Sequence, residues 1–278
     1  GENAYCRDSM ILSGILQVGN GQSTGSIVDA NIVSNATLAF NRSDDIGYTS
    51  DISGTGGLTQ AGTGTLTLSG NNIFSGGVNL DDGVLALGSS GAIGTTGTTG
   101  TVDFDGGVLR YTADNTTDYS GRFTTDSSTP FKIDTNGQDV AFANALVSTG
   151  GSLTKLGAGA LTLSGANSYD GATSISDGTL SLSGTLSNDT AVTVSSGAVY
   201  NVDASDTIGS LAGSGVVATS TAGDKILTVG GSDATTTFDG VIEDGGGGLG
   251  TLGLVKDGNG TLTLAGDNTY SGGTTISS

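Results

Sequence analysis

GTLTLSGNNIFSGG, from Gly64 to Gly77, returns as GALTLSGANSYDGA from Gly159 to Ala172 and as GTLTLAGDNTYSGG from Gly260 to Gly273. Self-similarity of this kind marks a repeat architecture and outranks any single-residue signal. Ahead of the run, Leu58, Leu153 and Leu254 fall in the same phase. Inside it, Leu66 and Leu68, Leu161 and Leu163, and Leu262 and Leu264 alternate with Thr. Behind it come Gly70, Gly165 and Gly266, then Asn72, Asn167 and Asn268, and two places later an aromatic: Phe74, Tyr169 and Tyr270. A partial fourth copy opens the chain, with Gly1, Asn3 and Tyr5 followed by Ile11, Gly14, Leu16 and Val18 in register with Leu80, Gly83, Leu85 and Leu87. By this alignment residues 1–13 and 266–278 occupy the same positions of the repeat. The expectation is one continuous solenoid segment over residues 1–278 that enters and leaves within a repeat.

Alternation of Leu and Thr places neighbours on opposite faces of a strand, Leu inward and Thr outward. The same alternation recurs in ILQV (Ile15 to Val18), VLAL (Val84 to Leu87), TLSL (Thr179 to Leu182) and AVTV (Ala191 to Val194). Gly, Ser, Asn and Asp bound each strand and turn the chain. Weaker rungs with the same grammar are NATLAFNRSDD (Asn35 to Asp45), DGGVLRYTADN (Asp105 to Asn115) and SGAVYNVDASD (Ser196 to Asp206). No segment carries a sustained helical period, so helix content should be close to nil.

Gly1, Gly70, Gly165 and Gly266 stand 69, 95 and 101 residues apart. Those intervals divide into three, four and four coils of about 23 to 25 residues, giving a right-handed parallel β-helix of about 11 to 12 rungs. A lone rung buries too little to offset the ordering of its backbone, so stability must come from stacking. The recurring Asn reads as an Asx turn in preference to a stacked amide ladder. The aromatic beyond it reads as a cap on the apolar core at a corner.

Acidic residues number 27 against 8 basic ones, for a net charge of -19. Arg7, Arg42, Arg110, Arg122, Lys132, Lys155, Lys225 and Lys256 are dispersed and form no basic patch, which excludes nucleic acid as a partner. Copies of the chain repel one another, and cations or neutral glycans are its easier ligands. The single cysteine, Cys6, has no intramolecular partner and sits where the other copies place Ser75, Asp170 and Ser271, a tolerant turn position. No apolar stretch is long enough to span a membrane and no signal peptide opens the sequence.

Histidine is absent, which removes His-based catalysis and His-liganded metals. The carboxylate pairs Asp44 and Asp45, Asp81 and Asp82, Asp103 and Asp105, and Glu243 and Asp244 lie in turn-rich sequence without a companion cluster of Arg, Lys or aromatics to hold a sugar. Asp81 and Asp82 beside Gly83 offer oxygen ligands for calcium, yet solvated turn carboxylates are the simpler reading. Gly245 to Gly248 reads as a bulge, because no helix or Lys follows it as in a phosphate loop. The expectation is no catalytic residue, no metal and no cofactor.

GSLTKLGAGALTLSGANSYDGATSISDGTLSLSG (Gly151 to Gly184) and GTLGLVKDGNGTLTLAGDNTYSGGTTIS (Gly250 to Ser277) resemble the autotransporter-associated β-strand repeat, also called the passenger-associated transport repeat. The resemblance implies a right-handed parallel β-helix in the exported part of a very large Gram-negative surface protein. It also implies a repeat tied to passage across the outer membrane rather than to catalysis. A non-catalytic shaft at the cell surface, whose partners are neighbouring repeats of the same protein, is the leading expectation. Two alternatives stay open: end-to-end self-association into a filament, through unpaired strand edges, and adhesion to glycans or cell surfaces. Adhesion would need an exposed aromatic patch, for which Tyr111, Tyr119 and Phe123 are the candidates.

Overall fold

The computed structural model describes residues 2–3, 8–27, 30–94 and 100–277. Arg7 and Cys6 lie outside them. Among the described residues the chain is all strand and turn, with helical geometry confined to two 3-10 turns at Ser120–Arg122 and Gly246–Gly248. The strands pair in parallel and stack as a β-solenoid of about 13 turns.

Two compact units form, one from residues 1–124 with 132–134 and one from residues 125–131 with 135–278. In the first, Ile15–Gln22, Thr37–Arg42, Gly57–Gln60, Val78–Leu80 and Val102–Phe104 lie side by side in one sheet. Ile46–Tyr48, Thr65–Leu68, Val84–Leu87 and Val108–Arg110 follow one another in a second. Ser9–Ile11, Ile32–Ser34 and Ile52–Ser53 form a third. The second unit repeats the plan. One of its sheets runs from Val140–Phe142 through Ala160–Leu163, Thr179–Leu182 and Val199–Val202. Another runs from Ser152–Leu156 through Thr173–Ile175, Ala191–Val194, Ser210–Gly213 and Thr236–Phe238 to Leu262–Leu264.

Register shows how a copy is built. Leu66 pairs with Leu85 and Leu68 with Leu87, while Leu58 pairs with Val78. In the second copy Leu161 pairs with Leu180, Leu163 with Leu182 and Leu153 with Thr173. Each of these two copies therefore covers about one and a half turns, and its last two strands stack on its first two. The step from one turn to the next is 19 to 20 residues inside these copies. It widens to 24 where Leu85 meets Leu109 and to 27 where Leu227 meets Leu254. Coils of 23 to 25 residues throughout are thereby corrected: the copies are tighter and the connecting turns looser, and the chain fits more turns than the 11 to 12 expected.

The inward Leu columns fill the core. Leu66, Leu68, Leu161 and Leu163 are fully buried, as are Leu85, Leu87, Leu180 and Leu182 above them. Leu262 and Leu264 in the last turn are half-buried, since no described turn stacks over them. Adjacent parallel strands lie only about 4.8 Å apart, and this spacing explains the repeated Gly70, Gly165 and Gly266. A Cβ on Gly70 would stand 2.2 Å from the Ser50 carbonyl oxygen, on Gly165 2.6 Å from the Ala145 nitrogen, and on Gly266 2.0 Å from the Gly240 carbonyl oxygen. Close approach of the turn below excludes a side chain there. Gly83 and Gly178, at the corner before VLAL and TLSL, add to the same close approach a positive φ of 56° and 63°.

Candidate functional site

The repeated Asn faces its own stack. Asn72 is fully buried; its Oδ1 accepts the Ile52 backbone N–H at 2.8 Å and its Nδ2 donates to the Ala92 carbonyl at 2.5 Å. Ile52 belongs to the turn on one side and Ala92 to the turn on the other. Asn167 repeats the pattern, accepting from Leu146 N–H at 2.9 Å and donating to the Thr185 and Gly165 carbonyls at 3.0 and 2.9 Å. Asn268 accepts from Ile242 N–H at 2.8 Å and donates to the Gly266 carbonyl at 2.8 Å. The Asx-turn reading is corrected. These amides clasp backbone groups of adjacent turns at a corner where the strand ladder lapses, and they do so without stacking on one another, because successive copies lie several turns apart.

Phe74 and Tyr169 are buried, as a corner cap requires. The hydroxyl of Tyr169 meets Thr173 Oγ1 at 2.7 Å and that of Tyr270 meets Thr274 Oγ1 at 2.6 Å. In the first copy the same two positions are Phe74 and Val78, so the hydroxyl and its partner are lost together. That pairwise change was visible in the aligned copies.

A further column went unread. Gln60, Lys155 and Lys256 occupy one position of the three copies. Gln60 Nε2 donates to the carbonyls of Gly62 and Gly64 at 2.7 and 3.0 Å. Lys155, fully buried, donates Nζ to the carbonyls of Leu156, Gly157 and Asp177 at 3.0, 2.6 and 3.1 Å. Lys256 donates to the carbonyls of Asp257 and Gly258. A long side chain ending in N–H donors recurs in an otherwise apolar strand, and that is the signal that would have revealed the column.

The other cations are spent in the same way. Arg42 bonds the carbonyls of Gly25 and Ser23 and pairs with Asp44 at 2.7 Å. Arg122 bonds those of Gly100 and Ile93, Lys132 that of Gly106, and Lys225 those of Ala222 and Gly223. Arg110 pairs with Asp134 at 2.7 Å. Each of the 8 cations except Arg7, which is not described, is thus committed to a turn carbonyl or a carboxylate.

Carboxylates serve the complementary groups. Asp45 accepts Thr65 N–H, Asp51 accepts Asn71 N–H and Asp139 accepts Ala160 N–H, at 2.7 to 2.9 Å and 20 or 21 residues along the chain. Glu2 and Glu243 are the only glutamates among the 27 acidic residues. Asp is favoured because one methylene spans the gap to the next turn with little rotamer loss. The bond from Thr65 lowers the Asp45 pKa, and the Arg42 hydrogen bond lowers that of Asp44. Asp244 is lowered by its bonds from Ser271 and from Leu252 N–H. Burial, with Asp105 alongside, raises Asp81.

Asp206 stands in the clasp position two turns beyond Asn167, its Oδ2 accepting Leu186 N–H at 3.1 Å. Burial pushes its pKa up to about 6. A carboxyl raised above its unfolded value contributes fully below about pH 4, and that contribution is lost as pH rises through about 6. Asp206→Asn retains the acceptor and removes the buried charge. It should raise stability by about 1 to 2 kcal/mol at pH 7, allowing for solvent screening, and by almost nothing near pH 4. Urea unfolding of both forms across that range checks it.

Tyr111, Tyr119 and Phe123 are corrected as an exposed patch: all three are buried. Phe123 packs edge-on against Phe104 with centroids 5.0 Å apart, and Tyr119 accepts a bond from Asn115 at 2.9 Å. The irregular section turns its aromatics inward. Among the described residues no three carboxylate, Cys or His side chains converge to hold a metal, and no helix is long and apolar enough to cross a membrane. Gly247 sits at φ 73° in an exposed 3-10 turn.

The passenger-associated-transport-repeat model matches residues 58–87, 153–182 and 254–278. Each match begins at one of the phased leucines; the first two span a self-stacked copy, and in the third Thr274–Ile276 stacks on Leu252–Lys256. The chain is also similar to the adhesin BmaC autotransporter of Brucella suis biovar 1 (strain 1330), 31% identical over 290 residues. That alignment covers 91% of this chain and 8% of the relative, so the chain spans under a tenth of the relative's length. No solved structure matches. With three copies whose stacking, clasps and close-packed glycines are the family's matched residues, the chain belongs to the passenger-associated-transport-repeat proteins of autotransporter passengers.

Proposed function

We propose that this chain is a non-catalytic shaft segment of an exported, cell-surface protein of a Gram-negative bacterium. The observation that carries the reading is where its polar chemistry goes. Side chains that could act on or hold a ligand, from Asn72 and Lys155 to Asp45, are bonded to the backbone of neighbouring turns. Their work is to close corners. The family match and the autotransporter relative support the surface setting.

Adhesion is the second reading, favoured by the relative's description as an adhesin. The two differ in one measurement. Purified chain applied to cultured cells and to neutral glycans should bind no more than an unrelated β-solenoid of equal charge. Saturable binding that is removed by outward substitutions such as Thr162→Lys, with thermal stability unchanged, would replace the shaft with an adhesin.

A further inference from the structure

Three Asn-Gly pairs occur in the chain, at residues 20–21, 136–137 and 259–260. Asn is a chemically labile residue, and most so before Gly, where no Cβ hinders approach of the following backbone nitrogen to the Asn side chain. Reaction needs more than the pair. The Asn backbone must rotate until that nitrogen reaches Cγ, and the glycine N–H must be released from any acceptor.

Two of the pairs are held. Asn136 and Gly137 stand at φ 48° and 82° in a turn closed by Gln138 N–H on the Thr135 carbonyl at 2.8 Å. Gly137 N–H is itself committed, donating to the Ala158 carbonyl at 2.6 Å. Asn259 donates its backbone N–H to Asp233 Oδ1 at 2.7 Å. Gly260 beside it is wedged against the adjacent turn, where a Cβ would stand 2.3 Å from the Ala234 carbonyl oxygen.

The first pair lies in a break in the ladder. Pairing of Ile15–Gln22 with Thr37–Arg42 jumps from Val18 on Phe40 to Gln22 on Arg42, which leaves residues 19–21 without paired residues. Asn20 and Gly21 are exposed. The nearest atom to a Cβ on Gly21 would be Asn41 Oδ1 at 3.6 Å, so Gly21 has room that Gly260 lacks. Gly19 and Gly21, at φ 88° and 84°, flank Asn20 with the two least hindered backbones available.

We infer that Asn20 is a modification site, converting without an enzyme to aspartate and isoaspartate. The Gly21 nitrogen attacks Asn20 Cγ and the new bond closes a succinimide ring. The Cγ–Nδ2 bond breaks, and ammonia leaves with the proton that Gly21 gives up. Water then opens the ring. Cleavage at Cγ gives aspartate, and cleavage at the Asn20 backbone carbonyl routes the chain through the side chain as isoaspartate. Either product adds a negative charge to a chain that already carries -19. The break in the ladder also accommodates the longer isoaspartate backbone, which at residue 136 would disrupt the bonds just described.

Peptide mapping by tandem mass spectrometry, on the whole chain incubated in mildly alkaline buffer, tests the assignment. Asn20 should convert about tenfold or more faster than Asn136 or Asn259, because their reaction must first break a backbone hydrogen bond or a close contact. In urea the three sites should converge in rate, since the fold and not the shared dipeptide separates them. Asn20→Gln should abolish the early product while leaving the circular dichroism spectrum unchanged. Equal rates at the three sites of the folded chain overturn the inference, as does faster reaction at Asn136 or Asn259. An Asn20 that stays intact in the folded chain while converting in urea overturns it too.

Discussion

Lys155→Met should lower the stability of the chain by about 2 to 4 kcal/mol, whereas Lys155→Gln should cost about 1 kcal/mol or less. Two terms oppose each other. Removing the ammonium group relieves the desolvation of a buried cation, which alone would favour Met. Against this, the carbonyls of Leu156, Gly157 and Asp177 converge on Nζ, and without it their oxygens face one another. Leu156 and Gly157 retain a share of hydrogen bonding from Thr135, but no other donor replaces Lys155 at Asp177 among the hydrogen bonds described above. The corner holds left-handed glycines at 157, 159 and 178 and cannot relax by turning its carbonyls outward at low cost. The unmet carbonyls therefore win. Gln is tolerated because Gln60 already performs this work in the first copy. Equilibrium urea unfolding of the two variants against the parent gives the answer, and equal losses for Met and Gln would show that carbonyl bonding is not what Lys155 supplies.

Asn167→Leu is the second large effect, expected to cost about 2 to 4 kcal/mol. The substitution nearly conserves volume. It leaves Leu146 N–H without its acceptor and takes the side-chain amide from the Thr185 carbonyl, which keeps only the backbone N–H of residue 167. Asn167→Asp separates the two halves of the clasp, since it keeps the acceptor and loses the donors. Its penalty should shrink as the pH falls and the buried carboxyl takes up a proton, the behaviour assigned above to Asp206. Thermal unfolding at pH 4.5 and 7.5 distinguishes them: a pH-independent loss is expected for Leu and a pH-dependent one for Asp.

Much of this architecture was legible because period-two alternation is local. Leu66 and Leu68 declare an inward face within four residues, and three phased copies declare stacking. Turn length was not legible in the same way. The spacing between copies sums tight turns of 19 residues with looser ones of up to 27, and only the register of Leu66 on Leu85 separates them. The roles of Asn72 and Lys155 were hidden for a related reason. Their partners, Ile52 and Asp177, lie about one turn away, at a distance that cannot be read until the turn length is known. Tyr111 and Phe123 were misplaced because irregular sequence resembles an exposed loop, although a longer connection can fold its aromatics back over an open core edge.

The short step between paired residues has a kinetic consequence. Partners in the sheets lie 17 to 27 residues apart in a chain of 278. Relative contact order is therefore about 0.1 or below, a value ordinarily met in helical bundles rather than in β proteins. A turn needs only its immediate predecessor to find its register. Search cost thus grows with the length of one coil and not with the length of the chain, and structure can advance along the polypeptide one turn at a time as each new stretch becomes available.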